Sequence, residues 1–340
     1  MSDSIPPPGV PSPLHPLVLN AYKVLAGGVL SRDEALALAH EIHGEDIVDL
    51  VSLANKVKNR FAGETPPCSI MNVKSGRCSQ DCRFCSQSGR HHTGVREFPL
   101  LEPEAVLEEA RKDYATGVRD FGYVASGYGY TDPAHPEFRK MLATFDLIHR
   151  ELPEMRICVS VGILSRECAK ALAEHHVSRY NMNLQTNPAH YRDLVATTHS
   201  IEEKIQTIRY LKEFGLKNCT GGIFGMGETW EDRIDMALAI RDLDVEGTPV
   251  NVLLPIQGTA LESRPLMRPA EVAKCFAIYR LILPGKDLKF AAGRETVMKD
   301  FQGLLMLAGT NTFITGGYLT TRGRTVAEDM QLLDNLRDFR

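Results

Sequence analysis

No run of 18 uncharged apolar residues occurs anywhere in the 340-residue chain. That excludes a transmembrane helix, which needs about 20 such residues to cross the hydrocarbon core. The first residues, Met1 to His15, lack the basic cluster and apolar stretch of a secretory signal. Charge imbalance is scarce too: 39 basic against 43 acidic residues leave a formal net charge of −4. So slight an acidic excess offers nothing to nucleic acid or an anionic membrane surface. A cytoplasmic protein with neither as partner is expected. In a reducing compartment, 8 cysteines are not a disulfide framework. They need another explanation.

Residues 1–16 carry six prolines and read as a disordered or loosely packed tail. Residues 17–60 show apolar residues at helical spacing, and Ser31-Arg32-Asp33-Glu34 has the pattern of a helix start. From 61 to 325, strand-like runs alternate with amphipathic helical stretches. Strands are expected at Cys68–Val73, Asp120–Val124, Arg156–Val161, Arg179–Leu184, Asn218–Phe224, Pro249–Leu254, Leu288–Ala292 and Asn311–Thr315. Helices are expected between them, for example at Glu102–Thr116, Thr229–Leu243, Arg268–Leu283 and Val297–Leu307. Eight such units over about 250 residues are the arithmetic of an α/β fold, a (β/α)8 TIM-type barrel with an N-terminal helical extension. Residues 326–340 are left as a C-terminal helix or tail. A doubly wound open sheet is the runner-up, but no G-x-G-x-x-G turn follows the first strand.

A barrel interior is ordinarily filled by branched apolar side chains. In Tyr180-Asn181-Met182-Asn183-Leu184-Gln185, strand alternation puts Asn181, Asn183 and Gln185 on one face and Met182 and Leu184 on the other. If the apolar face packs under the helices, three amides point inward. A buried amide without a partner costs about 1–3 kcal/mol, so the pattern suggests a cavity holding a polar ligand. A polar loop with accidental alternation is the plain alternative. Asn251 extends the pattern, and Arg294 lies just past the seventh strand, at the barrel end where active sites form.

Cys78, Cys82 and Cys85 have the spacing C-x3-C-x2-C. Three thiolates close together on a loop suit a cubane iron–sulfur cluster with one iron left open. Such an open iron can chelate a substrate. Structural zinc normally takes a fourth ligand from a second knuckle, and none is present, although His91 and His92 lie nearby.

The motif, on the loop after the first strand, resembles the signature of the radical S-adenosylmethionine enzymes. In that family the open iron of a [4Fe–4S] cluster chelates S-adenosylmethionine, and one electron cleaves it to a 5′-deoxyadenosyl radical. The likeness narrows to the biotin synthases over an ordered set of segments. These are Gly76 to Ser88, His92-Thr93-Gly94, Tyr180 to Leu184, Tyr191, Thr197-Thr198, Cys219 to Thr229, Asn251, Gly258-Thr259, Ala292-Gly293-Arg294-Glu295 and Leu319-Thr320-Thr321. They run from about residue 65 to 325 and so cover nearly the whole barrel.

The resemblance implies that the chain makes biotin from dethiobiotin, with sulfur from an auxiliary iron–sulfur cluster. It implies that Cys78, Cys82 and Cys85 hold the radical cluster and that Phe84 lies beside adenine. Ala125, Ser126, Asn183, Gln185, Gly221, Ile223, Gly225 and Leu254 are the other implied cofactor positions. Asn181, Asn183, Asn251, Thr320 and Thr321 are the implied substrate contacts, and Arg294, Asn183 and Asn251 the implied catalytic set. Gln185 departs from the family's usual aspartate and brings no charge to the ribose. An electron donor such as flavodoxin or ferredoxin, the iron–sulfur assembly machinery and a homodimeric state are further implied partners.

Familiar members hold the auxiliary cluster as [2Fe–2S] with three cysteines and one arginine. Cys158, Cys219 and Arg294 match, but Gly122 stands where a cysteine is expected. Cys68, on the neighbouring first strand, is able to reach the vacated space. The expectation is that Cys68, Cys158 and Cys219 ligate a cubane-type auxiliary cluster, with [2Fe–2S] as the alternative. Arg294 has a second reading, pairing with sulfides or substrate instead of ligating iron. Cys168, Cys275 and Trp230 read as packing. Competing functions are another radical S-adenosylmethionine barrel, such as a hydrogenase-maturation or methylornithine-forming enzyme, and a non-catalytic iron–sulfur carrier or sensor.

Overall fold

The computed structural model describes residues 14–319 and 323–339. Thr320, Thr321 and most of the proline-rich segment therefore lie outside the described residues. Three α-helices, Pro16–Ala21, Arg32–Glu41 and Asp46–Phe61, precede the barrel. The second starts where the pattern predicts: the Ser31 hydroxyl accepts from the Glu34 amide, and the Glu34 carboxylate accepts from the Ser31 amide. The third buries Leu50, Val51, Leu53, Ala54 and Val57 along one face and packs on helix Pro269–Ile282.

Eight parallel strand positions follow. We number them β1 (Cys68–Lys74), β2 (Asp120–Ala125), β3 (Arg156–Ser160), β4 (Val177–Asn181), β5 (split into Lys217–Cys219 and Gly222–Phe224), β6 (Gly247–Val252), β7 (Asp287–Phe290) and β8 (Thr312–Phe313). Each pairs with its sequence neighbours. A parallel bridge from Cys68 to Ile314, with the Thr315 amide 2.9 Å from the Cys68 carbonyl, joins β8 to β1 and closes the barrel. Helices such as Pro103–Ala115, Pro136–Glu151, Ile201–Glu213 and Trp230–Leu243 cover the outside. Their apolar faces meet outward-facing strand residues, including Phe121, Tyr123, Tyr180 and Phe290, in one continuous core.

Two elements differ from the expectation. The helix expected over residues 297–307 is broken: a π turn at Arg294–Met298 is followed by Lys299 at φ 47°, a 3-10 turn, and then α-helix only from Gln302. A left-handed residue cannot continue a right-handed helix. Strand β4 ends at Asn181, earlier than expected, because the chain then turns toward Gln185, which sits at φ 72°. Trp230 packs against Arg233 and Lys274, and Cys168 and Cys275 are buried on helices.

Candidate active site

The barrel encloses a cavity of about 370 Å³. The alternation after Tyr180 is realised: Asn181, Asn183 and Gln185 line the cavity, whereas Met182 and Leu184 are buried in the core. Ile223, Asn251 and Leu254 line it as well. Asn183 is held on both sides, its Oδ1 accepting from the Gly221 amide at 3.0 Å and its carbonyl accepting from Lys204 Nζ at 3.0 Å. Asn251 donates to the Gly222 carbonyl and accepts from the Ala292 amide. Asn181 Oδ1 and Gln185 Oε1 are buried with no partner. Buried polar atoms are nearly always satisfied, so these two mark space for a polar ligand. Gln185 adds backbone strain, since residues other than glycine seldom adopt positive φ outside functional sites.

The cysteine loop leaves the C-terminal end of β1 and brings Phe84 and Cys85 to the cavity. Gly76 and Arg77, at φ 75° and 48°, turn the chain off the strand. Asp81 then latches the loop to the segment after β4. Its carboxylate accepts from the amide and hydroxyl of Thr197 and from the amide and hydroxyl of Thr198. The Arg83 amide adds a bond to the Val195 carbonyl at 2.9 Å. Burial opposes the Asp81 charge, but these donors prevail and hold its pKa below the ordinary carboxylate range. His199 joins the same support, with Nδ1 3.0 Å from Gln80 Oε1 and Nε2 2.7 Å from the Tyr191 hydroxyl. Burial, helped by the Lys204 charge, lowers its pKa to about 4.

A second sulfur group lies inside the barrel. Cys68 on β1, Cys158 on β3 and Cys219 on β5 all line the cavity. Burial raises the Cys68 and Cys158 thiols above the ordinary range, with Cys219 adding to both shifts and Cys68 adding to that of Cys158. Burial likewise pushes Cys82 in the loop up to about 12 and raises Cys85. Thiols held protonated in this way are released by a metal partner, so binding is coupled to proton loss.

Among the described residues no three His, Cys, Asp or Glu side chains are set to grip a single metal ion. A cluster several ångströms across spaces its thiolates more widely than one ion does, and sulfur alone suits iron–sulfur chemistry. Both triads offer that sulfur-only donor chemistry.

Several expected positions lie elsewhere. Arg294 does not line the cavity. Its guanidinium is buried against Phe313, with Nη2 2.8 and 2.9 Å from the two Asp329 carboxylate oxygens. Through Nη2 it ties the helix Val326–Asn335 to the barrel. The π turn that carries it redirects the side chain, which strand alternation cannot foresee. Ala125, Ser126, Gly221 and Gly225 are also outside the lining. Ser126 bonds the Gly76 carbonyl, and Gly221 and Gly225 give their amides to Asn183 and Glu228.

Two residues were missed. Lys289 on β7 puts Nζ 2.7 Å from Cys68 Sγ, and Arg179 on β4 puts Nη1 3.3 Å from Cys219 Sγ. Both line the cavity. Burial opposes the Lys289 charge, but Cys68, Cys219 and Cys158 overcome it and its pKa is raised. The signal was present in Leu288-Lys289-Phe290, where a cation stands between two apolar residues.

Comparison with known proteins bears on the same residues. A family model for the radical SAM superfamily matches residues 72–240, and one for the biotin and thiamin synthesis associated domain matches 249–337. Biotin synthase from Pelodictyon phaeoclathratiforme is 50% identical over 333 residues, covering 96% of this chain and 98% of that protein. Biotin synthase from Chlorobium luteolum is 50% identical, covering 97% and 99%. Among solved structures, methylornithine synthase superposes with a TM-score of 0.78 at 18% identity, covering 94% of this chain and 96% of that one. The FeFe-hydrogenase maturase from Carboxydothermus hydrogenoformans gives the same score and identity, covering 94% and 78%. At that identity these two share the barrel fold and nothing finer. Among the described residues no helix is long and apolar enough to cross a membrane.

Proposed function

The chain belongs to the biotin synthase family of radical S-adenosylmethionine enzymes, and on that premise we propose that it inserts sulfur into dethiobiotin to form biotin. The observation that carries the reading is a single cavity with thiols in two places. Cys85 of the loop triad reaches it from the C-terminal face of the barrel, and Cys68, Cys158 and Cys219 line its interior. The amides of Asn181, Asn183 and Asn251 line the same cavity.

In this reading Cys78, Cys82 and Cys85 hold a [4Fe–4S] cluster with S-adenosylmethionine, and Cys68, Cys158 and Cys219 hold an auxiliary cluster of cubane type. When bound, the first supplies hydrogen abstraction and the second supplies sulfur. The protein's residues do the positioning. Asn181 and Gln185 offer unpaired oxygens to polar groups of substrate or cofactor. Asn183, fixed from both sides, keeps its amide aimed into the cavity. Val124, Ile223 and Leu253 wall the space with apolar surface, which keeps water from a reactive centre. Thr320 and Thr321 follow Leu319, itself at the cavity, and are assigned to the substrate carboxylate. A flavodoxin or ferredoxin supplies the electrons, iron–sulfur assembly machinery loads the clusters, and the working enzyme is a homodimer.

The test is product analysis under strict anaerobiosis with dithionite, S-adenosylmethionine and dethiobiotin. Biotin and 5′-deoxyadenosine are expected; release of neither refutes the reading and favours an electron carrier. About 8 irons per chain supports two cubanes, and about 6 supports a [2Fe–2S] partner. Cys68→Ala is expected to lose only the auxiliary iron, and an intact auxiliary Mössbauer signal in that variant removes Cys68 from the ligand set.

A further inference from the structure

We propose that Lys289 is the positioning residue of the auxiliary site: a charged donor to its sulfur atoms that stands where a fourth protein ligand is missing. The proposal rests on the three-thiolate reading above and adds a role to a residue that reading does not use.

The geometry is specific. Lys289 lies on β7, 6% exposed, with Nζ 2.7 Å from Cys68 Sγ on β1. No carboxylate lies within ion-pair distance of it among the described residues, and its one hydrogen-bond partner there is that sulfur. A buried ammonium without an anion is costly, so an anion is required where Cys68 is. An ammonium carries three donors and no lone pair. It cannot ligate iron while charged, but beyond Cys68 it has two donors left to direct at cluster sulfur.

Arg179 does less. It reaches Cys219 at 3.3 Å but shares its charge with Asp287 at 3.6 Å. The other place for a further ligand is closed. A Cβ built at Gly122 would fall 2.7 Å from Ile70 Cγ2 and 2.8 Å from the Ser69 carbonyl oxygen. Three cysteine sulfurs and one unshared cation thus line one cavity inside the barrel. Net charge and hydrogen bonds to sulfur are the levers that set a cluster's potential. A cation held on the sulfurs favours the reduced, more negative cluster and raises that potential.

The experiment compares the reconstituted holoenzyme with Lys289→Met and Lys289→Arg. Lys289→Met keeps the length and removes the charge. It is expected either to lose auxiliary iron and labile sulfide or to shift the auxiliary reduction equilibrium at least tenfold toward the oxidised form, about 59 mV for one electron. The radical cluster's spectrum and S-adenosylmethionine cleavage are expected to stay unchanged, which also reports that the barrel is folded. Lys289→Arg is expected to restore both iron content and potential. Wild-type auxiliary iron and potential in Lys289→Met overturn the proposal. So does a Lys289→Arg protein as impaired as Lys289→Met, including the case where both fail to fold. Loss of the auxiliary cluster in Cys68→Ala, alongside a normal Lys289→Met, rejects this role and keeps the three-thiolate reading. An intact auxiliary cluster in Cys68→Ala rejects the reading beneath it.

Discussion

Replacing Arg294 by methionine separates a clamp from a cluster ligand. Arg294 and Asp329 are 2% and 1% exposed, and their contacts at 2.8 and 2.9 Å tie the helix Val326–Asn335 to the barrel. Apolar contact there is small, consisting of Leu332, Leu333 and Leu336 on Met306 and Phe313. Burial raises the Asp329 pKa in spite of the adjacent arginine, so the carboxylate stays uncomfortable even when paired. Removing one member of a buried pair costs about 3–5 kcal/mol, because the survivor is left buried and uncompensated. Arg324, with Nε 3.5 Å from Asp329, offsets part of this, so the lower figure is expected. About 3 kcal/mol is a factor of roughly 10² in the opening equilibrium. Amide hydrogen exchange over residues 326–335 should therefore quicken about 100-fold in Arg294→Met, with the auxiliary iron retained. The double variant Arg294→Met/Asp329→Leu should return exchange close to wild type, since replacing both charges by apolar groups is often neutral. Lost auxiliary iron with unchanged helix exchange would refute the clamp and restore Arg294 as a ligand.

Two further outcomes follow from the same coordinates. His199 is neutral in the folded protein, its pKa lowered to about 4 from 6.5, so its contribution to stability is present above pH 6.5 and lost as pH falls toward 4; denaturant midpoints at pH 7 and 5 should differ by less in His199→Gln than in wild type. Gly122→Cys restores the residue usual in the family, yet its Cβ meets Ile70 and the Ser69 backbone. It should lower the melting temperature without adding iron, and pairing it with Ile70→Ala should recover part of the loss.

Much of the architecture was legible because barrel strands announce themselves by short apolar runs between amphipathic helices. All eight expected strands overlap observed ones. The inward amides were legible for a similar reason, since alternation on a strand is rigid and Asn181, Asn183 and Gln185 had to share a face. Arg294 was not legible. It lies beyond β7 in a π turn whose start, Gly293, sits at φ 100°, and no period predicts where a side chain points from such a turn. Lys289 was overlooked because its partner, Cys68, lies 221 residues away in sequence, on a strand that only barrel closure brings near.

By itself the sequence determined the chemistry available to this protein. Three cysteines at C-x3-C-x2-C can lie on one short loop because their spacing is local, and the barrel pattern follows from repeated local periodicity. Tertiary structure alone decided which distant residues share a space. Cys68, Cys158, Cys219 and Lys289 come from four different strands, and barrel closure through the Cys68–Ile314 bridge helps bring them into one cavity. Once buried there, the thiolates need a cation and the cation needs an anion, a mutual requirement of low dielectric that no linear spacing expresses.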